Sequence, residues 1–216
     1  MVKYTEQQLQ ENYTDFIEFL KKAFSGDRLD KLLHMYSEKE LGVNVLISPA
    51  SGNIDYHNAY DGGYLDHIMN VAKNGMKMMK MYQDSGGLIN FTQEELLFSA
   101  IHHDLGKLGD VGKIHFLPNE SEWHIKNQGK LYVPNPALSY ITVIDRTFLL
   151  LNRYGISYSE TEFFGIKLAD GMYEDENSRY LKSYNVTQHR RTNIPYIVHW
   201  ADHMSTCIER DTVRPK

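Results

Sequence analysis

Apolar residues recur at intervals of three and four along most of the chain, which is the spacing of amphipathic helices. Helix-start signals support the pattern. Thr5 is a predicted N-cap, Thr92 and Ser159 each open a capping box with a glutamate three residues later, and Pro195 suits a first helical turn. The pattern predicts seven helices, near residues 6–24, 27–36, 64–83, 92–106, 138–154, 159–170 and 194–209.

Two segments interrupt the helical spacing. The first, LISPASGNIDYHNAYDGG (46–63), contains one proline and three glycines and is predicted to be an ordered loop. The second covers 111–136, where IHFLP and KLYVP flank SEWHIKNQG. That arrangement predicts a small β-hairpin or an irregular flap. The fold class is therefore all-α with one β excursion, and a length of 216 residues suits a single domain.

Composition narrows the class of protein. A hydrophobic fraction of 42% and a charged fraction of 24% are ordinary for a globular domain. The apolar runs are too short to span a membrane, and the first residues do not resemble a signal peptide, so we expect no membrane partner and a cytoplasmic protein. The single cysteine, Cys207, excludes an internal disulfide and a thiolate-rich zinc site. A net charge of -5 argues against nucleic acid as a partner, and the basic segment QHRRTN (188–193) is predicted to be a solvated loop.

Ionisable residues stand at apolar positions of three predicted helices. His67 lies within GGYLDHIMNV, His103 and Asp104 lie within SAIHHDLG, and Asp202 lies within IVHWADHMST. An ionisable group on the core side of a helix is costly unless it is paired or coordinated. Imidazole and carboxylate are ligands that divalent metals accept. These residues indicate a metal site, and the alternative is a set of hydrogen-bonded core residues.

The ordered motif H…HD…D on helices resembles the HD superfamily of metal-dependent phosphohydrolases. SPASGNIDYHNAYDGGYLDHIMNV is similar to the family segment P-A-x…H-H-A-Y-x-G-G-L-L-x-H, AIHHDLGKLG to its H-D-[IL]-G-K, and HWADHMST to its A-D-x-x-S. The resemblance covers roughly residues 48–210. The positions that align in the first segment are Pro49, Ala50, His57, Ala59, Tyr60, Gly62, Gly63, Leu65 and His67.

This resemblance implies a globular all-α HD-domain bundle with the flap at 111–136 as an insertion. Residues 1–216 would form one HD domain, with 48–210 as its core and 1–47 as a helical extension. The implied metal ligands are His67, His103, Asp104 and Asp202. The implied cofactor is a divalent ion, which across the family is Mn, Mg, Fe, Co, Ni or Zn.

Some phage-like HD proteins hold a second metal through later G-H-G and H-x-G motifs. Their W-x-x-N-x-G segment has a parallel in WHIKNQGKLYVPNP, but Thr142 and Ala169 stand where the two later histidines would fall. The departure predicts one metal rather than two. His115 and His124 in the flap remain alternative second-metal ligands, and we expect them instead to contact substrate or solvent.

Catalysis at such a site needs a proton acceptor and a cation for the phosphate. Asp104 is expected to bridge metal and water, and Asp110 and Asp170 are further candidate bases. Each of the latter two has the alternative of an ordinary loop or turn residue. Lys107 follows Asp104 by three residues and is predicted to grip a phosphate, or to complement the helix dipole.

Five further residues are candidate substrate contacts. Arg146 is predicted to be a second phosphate contact, with a surface arginine as the alternative. His57 and Tyr60 belong to the family-like loop and would line the pocket, Tyr60 by stacking on a base, unless the loop only packs over the core. His115 and His124 would reach the substrate from the flap.

The sequence thus favours a phosphohydrolase that acts on a nucleotide or a related small phosphate ester at a single metal, with deoxynucleotide mono- or triphosphates as the leading substrates by family analogy. The first alternative is a phosphodiesterase acting on cyclic or oligonucleotides, including signalling nucleotides. The second is a non-catalytic module that binds a nucleotide or a protein. The oligomeric state stays open.

Overall fold

Helices form most of the chain in this computed structural model, which describes residues 4–182, 187 and 191–213. The fold is all-α with a small β hairpin. The elements are α1 (Glu6–Ala23), α2 (Gly26–Met35), α3 (Gly42–Ile47), α4 (Gly63–Asp84), α5 (Gln93–His102), a 3-10 turn (Leu105–Leu108), β1 (Phe116–Pro118), α6 (Glu122–Gln128), β2 (Tyr132–Pro134), α7 (Val143–Arg153), α8 (Glu160–Lys167), two 3-10 turns (Gly171–Tyr173 and Asp175–Asn177), α9 (Ser178–Leu181) and α10 (Ile194–Val213).

Local capping sets the starts of the helices, as the sequence predicts. Thr5, Thr92 and Ser159 each accept a hydrogen bond from the backbone three residues on, and the side chain at that third position bonds back to the cap. A capping box satisfies two of the amide groups that a helix start leaves without a partner. The N-caps predicted for α1, α5 and α8 are therefore confirmed.

The flap contains a short antiparallel ladder in which Phe116 pairs with Pro134 and Pro118 with Tyr132. The segment that connects the two strands is helical rather than a turn, because Ser121 caps α6 and Gly129 ends it in the left-handed conformation. The hairpin is confirmed, and α6 within it is an element that the sequence analysis did not predict.

Contacts divide the chain into two compact units. The first unit comprises Met1–Met69, Asp104–Ser157 and Thr206–Lys216, and the second comprises Asn70–His103 and Tyr158–Ser205. In the first unit, α1 packs against α2 and α3. The predicted extension and the start of the predicted core therefore belong to the same unit.

In the first unit, α7 also packs closely against the 3-10 turn at 105–108. The amide of Gly106 donates to Thr147 Oγ1 over 2.9 Å, and a Cβ built on Gly106 would lie 2.1 Å from the carbonyl oxygen of Val143. Only glycine allows this approach. The glycine of the HD-x-GK motif therefore has a structural role, since it lets α7 lie against the turn that follows Asp104.

The second unit is built on α5, α8 and the parts of α4 and α10 that belong to it. Gly165 lets α8 approach α5, because a Cβ there would lie 2.4 Å from Ser99 Oγ. Ala169 is fully buried in an apolar cluster. The other buried members of that cluster are Met79, Phe91, Leu96, Ile194, Ile197 and Val198.

Several boundaries differ from the sequence predictions. Helix α5 ends at His102 instead of near Gly106, and α7 begins at Val143 instead of near Leu138, because Thr142 caps it. Helix α3 occupies 42–47 and thus includes the first residues of the predicted loop. Of the basic segment at 188–193, residues 188–190 lie outside the described chain. In the part of the chain that the structure describes, no helix combines the length and the apolarity needed to cross a membrane.

Candidate metal centre

His67 lies on the buried face of α4 in the first unit, between Leu65 and Ile68, and is 1% exposed. Its Nδ1 is 2.9 Å from Oε2 of Glu209, a buried carboxylate near the end of α10. Its Nε2 is 3.7 Å from Oδ2 of Asp104. The Glu209 carboxylate accepts a hydrogen bond from Nδ1, and the Nε2 lone pair of the neutral ring then faces Asp104.

Asp104 follows the end of α5 directly and is 7% exposed. Its Oδ2 is 2.7 Å from Nζ of Lys107. The two residues face each other because the 3-10 turn brings side chains three positions apart into register. The first unit therefore presents an imidazole, a carboxylate and an ammonium close together.

In the second unit, His103 ends α5 and is 2% exposed. Its Nδ1 is 2.7 Å from the carbonyl oxygen of Ala100, so Nδ1 carries the proton and donates it. Its Nε2 is 3.6 Å from Oδ1 of Asp202, whose side chain is 17% exposed. The second unit therefore repeats the arrangement of the first, with a histidine whose Nδ1 is held and whose Nε2 faces an aspartate.

The two N–O distances help to define what this arrangement can bind. A hydrogen bond from nitrogen to oxygen usually measures about 2.7–3.2 Å, which is shorter than both distances. Two ligands that are each about 2.1 Å from one ion lie roughly 3.0 Å apart in octahedral and 3.4 Å apart in tetrahedral coordination. The distances of 3.7 and 3.6 Å are closer to those of shared metal ligands than to ideal hydrogen bonds. The donor set of neutral imidazole and carboxylate fits a divalent metal.

Glu209 is the residue that the sequence analysis missed. A carboxylate that holds the far nitrogen of a metal-binding histidine fixes the ring and raises its basicity. The signal that was available is spacing, because Glu209 follows Asp202 by seven residues, which is two helical turns.

His102 has a different role from that of its neighbour. It is fully buried, its Nδ1 is 2.7 Å from the carbonyl oxygen of Phe98, and its ring lies 4.3 Å from the Phe98 ring. It is therefore a packed core histidine. His199, three residues before Asp202, donates from Nδ1 to the carbonyl oxygen of Ala169 over 2.7 Å.

The loop residues before α4 lie close to His67. The ring of half-buried His57 is 4.5 Å from the ring of His67, and the ligand atoms of His57, His67 and Glu209 lie within 4.8 Å of one another. Tyr60 is 8% exposed and its hydroxyl donates to Asp66 over 2.8 Å. Burial first, and then Asp66, raise the pKa of Tyr60. The structure thus places Tyr60 in the packing of the loop, which was the alternative to stacking on a base.

The other two predicted bases, Asp110 and Asp170, belong to different units. Asp110 is bound through both oxygens to Arg153, and that pairing is the main cause of its lowered pKa. A carboxylate with a lowered pKa is a weak general base. Asp170 precedes the 3-10 turn at 171–173 in the second unit.

The two flap histidines differ in exposure. His124 is exposed and its Nδ1 is 2.7 Å from Ser121 Oγ. His115 is half-buried, and burial first, then Arg146 and Lys107, lower its pKa. The structure thus puts His115 within the electrostatic reach of Asp104 and Lys107.

The two positions that predicted a single metal have structural roles. Thr142 caps α7 by accepting a hydrogen bond from the amide of Asp145 over 3.1 Å. Ala169 belongs to the apolar cluster of the second unit, where an imidazole would have to displace packed side chains.

Comparisons with known protein families, with curated proteins and with solved structures found no match to this chain.

Proposed function

We propose that this protein is a metal-dependent phosphohydrolase of the HD class, which hydrolyses a phosphate ester or anhydride of a nucleotide. The observation that supports the proposal is the repeated histidine–aspartate arrangement. His67 and His103 each have Nδ1 held by an acceptor and Nε2 turned to an aspartate, at 3.7 and 3.6 Å.

We propose a single ion because the His67–Asp104 pair and the His103–Asp202 pair are linked by adjacent residues. His103 of one pair and Asp104 of the other are consecutive in the sequence. The proposed ligands are His67, His103, Asp104 and Asp202, and the ion is one of the divalent metals that accept nitrogen and oxygen together.

A divalent ion at these residues would lower the pKa of a bound water and neutralise charge on a phosphoryl oxygen. Lys107 would hold a phosphate oxygen, since its Nζ lies 2.7 Å from the carboxylate of the proposed ligand Asp104. Glu209 keeps His67 in the tautomer that leaves Nε2 for coordination. Asp170 is the remaining candidate proton acceptor, because Asp104 is a proposed ligand with Lys107 at 2.7 Å and the pairing with Arg153 makes Asp110 a poor base.

The proposed substrate is small. The net charge of -5 gives little support for binding a polynucleotide, so a nucleoside mono- or triphosphate is preferred to a nucleic acid. A cyclic or oligonucleotide diester is the alternative substrate, and binding without turnover is the alternative function.

The test compares two adjacent histidines. Metal content per chain is measured for the wild type, His103→Gln and His102→Gln after expression in manganese- and iron-supplemented medium. We expect about one ion per chain in the wild type and in His102→Gln, and strong loss in His103→Gln, because only His103 turns its Nε2 to an aspartate. Equal retention in both variants contradicts the ligand assignment.

The same preparations are then assayed against nucleoside mono- and triphosphates, cyclic dinucleotides and short oligonucleotides, with detection of phosphate, pyrophosphate and triphosphate. Release from a mono- or triphosphate supports the proposal. Cleavage of diesters alone supports the phosphodiesterase, and bound metal with no turnover of any substrate supports the binding module. Two ions per chain would refute the single-metal proposal.

A further inference from the structure

Arg146 is buried to an extent that is unusual for an arginine. It lies in the first turns of α7 in the first unit and is 4% exposed. Its Nη2 donates to the carbonyl oxygen of Ser139 over 2.7 Å. Among the described residues, its Nε has no hydrogen-bond acceptor, and no carboxylate forms an ion pair with its guanidinium.

The charged groups around Arg146 do not compensate it directly. The charge of Arg146 contributes to the lowered pKa of Asp110, but Asp110 is bound through both oxygens to Arg153. Asp104 is bound to Lys107. His115 also lies within its electrostatic reach. The carboxylates of this region therefore have cations of their own, and the buried guanidinium adds a positive charge without a matching negative one.

A buried cation without a carboxylate partner is expensive, and arginine is rarely kept in such a place for stability alone. Guanidinium is planar, always charged and suited to bind two oxygens of a phosphate at once. A phosphate group would supply both the missing charge and an acceptor for Nε.

We infer that Arg146, with Lys107 on the 3-10 turn against which α7 packs, forms a binding subsite for a phosphate group of a small ligand. Both residues belong to the first unit, and the subsite adjoins Asp104 through Lys107. The assignment of this phosphate to the substrate rests on the proposed function. The existence of an anion-binding site rests on the burial of Arg146 and requires no metal.

The experiment measures binding of inorganic phosphate to protein freed of metal with a chelator, by calorimetry and by thermal shift. Arg146→Met removes the charge and keeps much of the side-chain volume. We expect phosphate affinity to fall about tenfold to hundredfold, as for the loss of a charge-assisted hydrogen-bonded pair. The variant without phosphate should melt no lower than the wild type, because an uncompensated charge is removed.

Arg28→Met is the matched control, because Arg28 also donates to a backbone carbonyl, that of Ser157, but is only half-buried. It should bind phosphate like the wild type. Arg146→Lys keeps the charge but lacks the planar guanidinium that binds two oxygens, so it should show an intermediate phosphate affinity. This variant tests the inference if Arg146→Met does not fold. Wild-type affinity in Arg146→Lys and Arg146→Met overturns the inference, as does absence of phosphate binding to the wild type.

A nucleoside monophosphate and its parent nucleoside are titrated in the same way, which separates a nucleotide's phosphate from free phosphate as the ligand. The experiments distinguish failure of the phosphate subsite from failure of the proposed phosphohydrolase. Loss of phosphate binding in Arg146→Met, together with wild-type protein that takes up no metal, would leave the oxyanion site standing without the phosphohydrolase. Metal uptake and turnover with unchanged phosphate binding in Arg146→Met would do the reverse.

Discussion

His67 and His103 turn the same ring nitrogen towards an aspartate, but the opposite nitrogen is held in two different ways. In His103, Nδ1 donates to the carbonyl of Ala100, three residues earlier in the same helix. In His67, Nδ1 lies against the carboxylate of Glu209, 142 residues further along the chain. One orientation is therefore a local property of a helix end, and the other depends on tertiary structure.

The difference has chemical consequences. A backbone carbonyl is neutral, whereas a carboxylate increases the electron density and basicity of the imidazole that it holds. His67 is therefore the stronger proposed ligand and the one whose strength a side-chain substitution can alter. Substitution of an aspartate that faces a histidine should therefore abolish metal binding, whereas substitution of Glu209 should only weaken it.

The largest effect is expected from Asp104→Ala, which removes the carboxylate that faces His67. Metal content should fall to a small fraction of an ion per chain, and hydrolysis should fall by more than the roughly 10- to 100-fold typical of residues that only orient a ligand. The measurements are elemental analysis and initial rates, with circular dichroism to show that the helices persist.

Asp66→Ala is the control for this change, because Asp66 precedes His67 and accepts the hydroxyl protons of Tyr4 and Tyr60 instead of facing an imidazole nitrogen. It should keep its metal. Activity that persists in Asp104→Ala would refute the proposed centre.

A smaller effect is expected from Glu209→Ala, which leaves every proposed ligand in place. Loss of the carboxylate should weaken metal binding by about 10- to 100-fold, since His67 loses its fixed tautomer. Glu209→Gln keeps an acceptor oxygen without the charge and should be less affected. Dissociation constants are measured by competition with a chromophoric chelator.

Ser205→Ala provides the comparison on the same helix, because Ser205 is buried one turn earlier and bonds to Asn74 and Ala201. Its metal affinity should match the wild type. If Glu209→Ala also matches the wild type, the carboxylate does not tune His67, and the distinction between the two histidines is only structural.

The local hydrogen bonds of this kind could be predicted from the sequence, whereas the long-range contact between His67 and Glu209 could not. Capping boxes at Thr92 and Ser159 act over three residues, so the sequence predicts them and the structure confirms them. Glu209 was not identified, since nothing near it in sequence indicates which residue of α4 it meets. The burial of Arg146 was also beyond prediction, because it follows from where α7 starts and from its packing on the turn at 105–108.

The smallest effect is expected from the pair Asp110–Arg153, in which a carboxylate meets a guanidinium instead of an imidazole. The pKa of Asp110 is lowered in the folded protein, chiefly by Arg153. A lowered carboxyl pKa contributes stability above the unfolded value of about 4, and that stability is lost as the pH falls through the folded value. Both side chains are partly exposed, at 31% for Asp110 and 42% for Arg153, so the contribution should be about 0.2–1 kcal/mol.

Asp110→Asn should therefore unfold at slightly lower denaturant concentration than the wild type at pH 7, and the two midpoints should converge as the pH falls through the lowered pKa of Asp110. Arg153→Met should reproduce the same convergence, because it removes the other partner. A difference that stays constant across this range would show that Asp110 acts through its hydrogen bond to the amide of Val111 rather than through its charge. In that case Asp110, which is partly exposed, would differ from the buried Asp104 in its chemistry as well as in its burial.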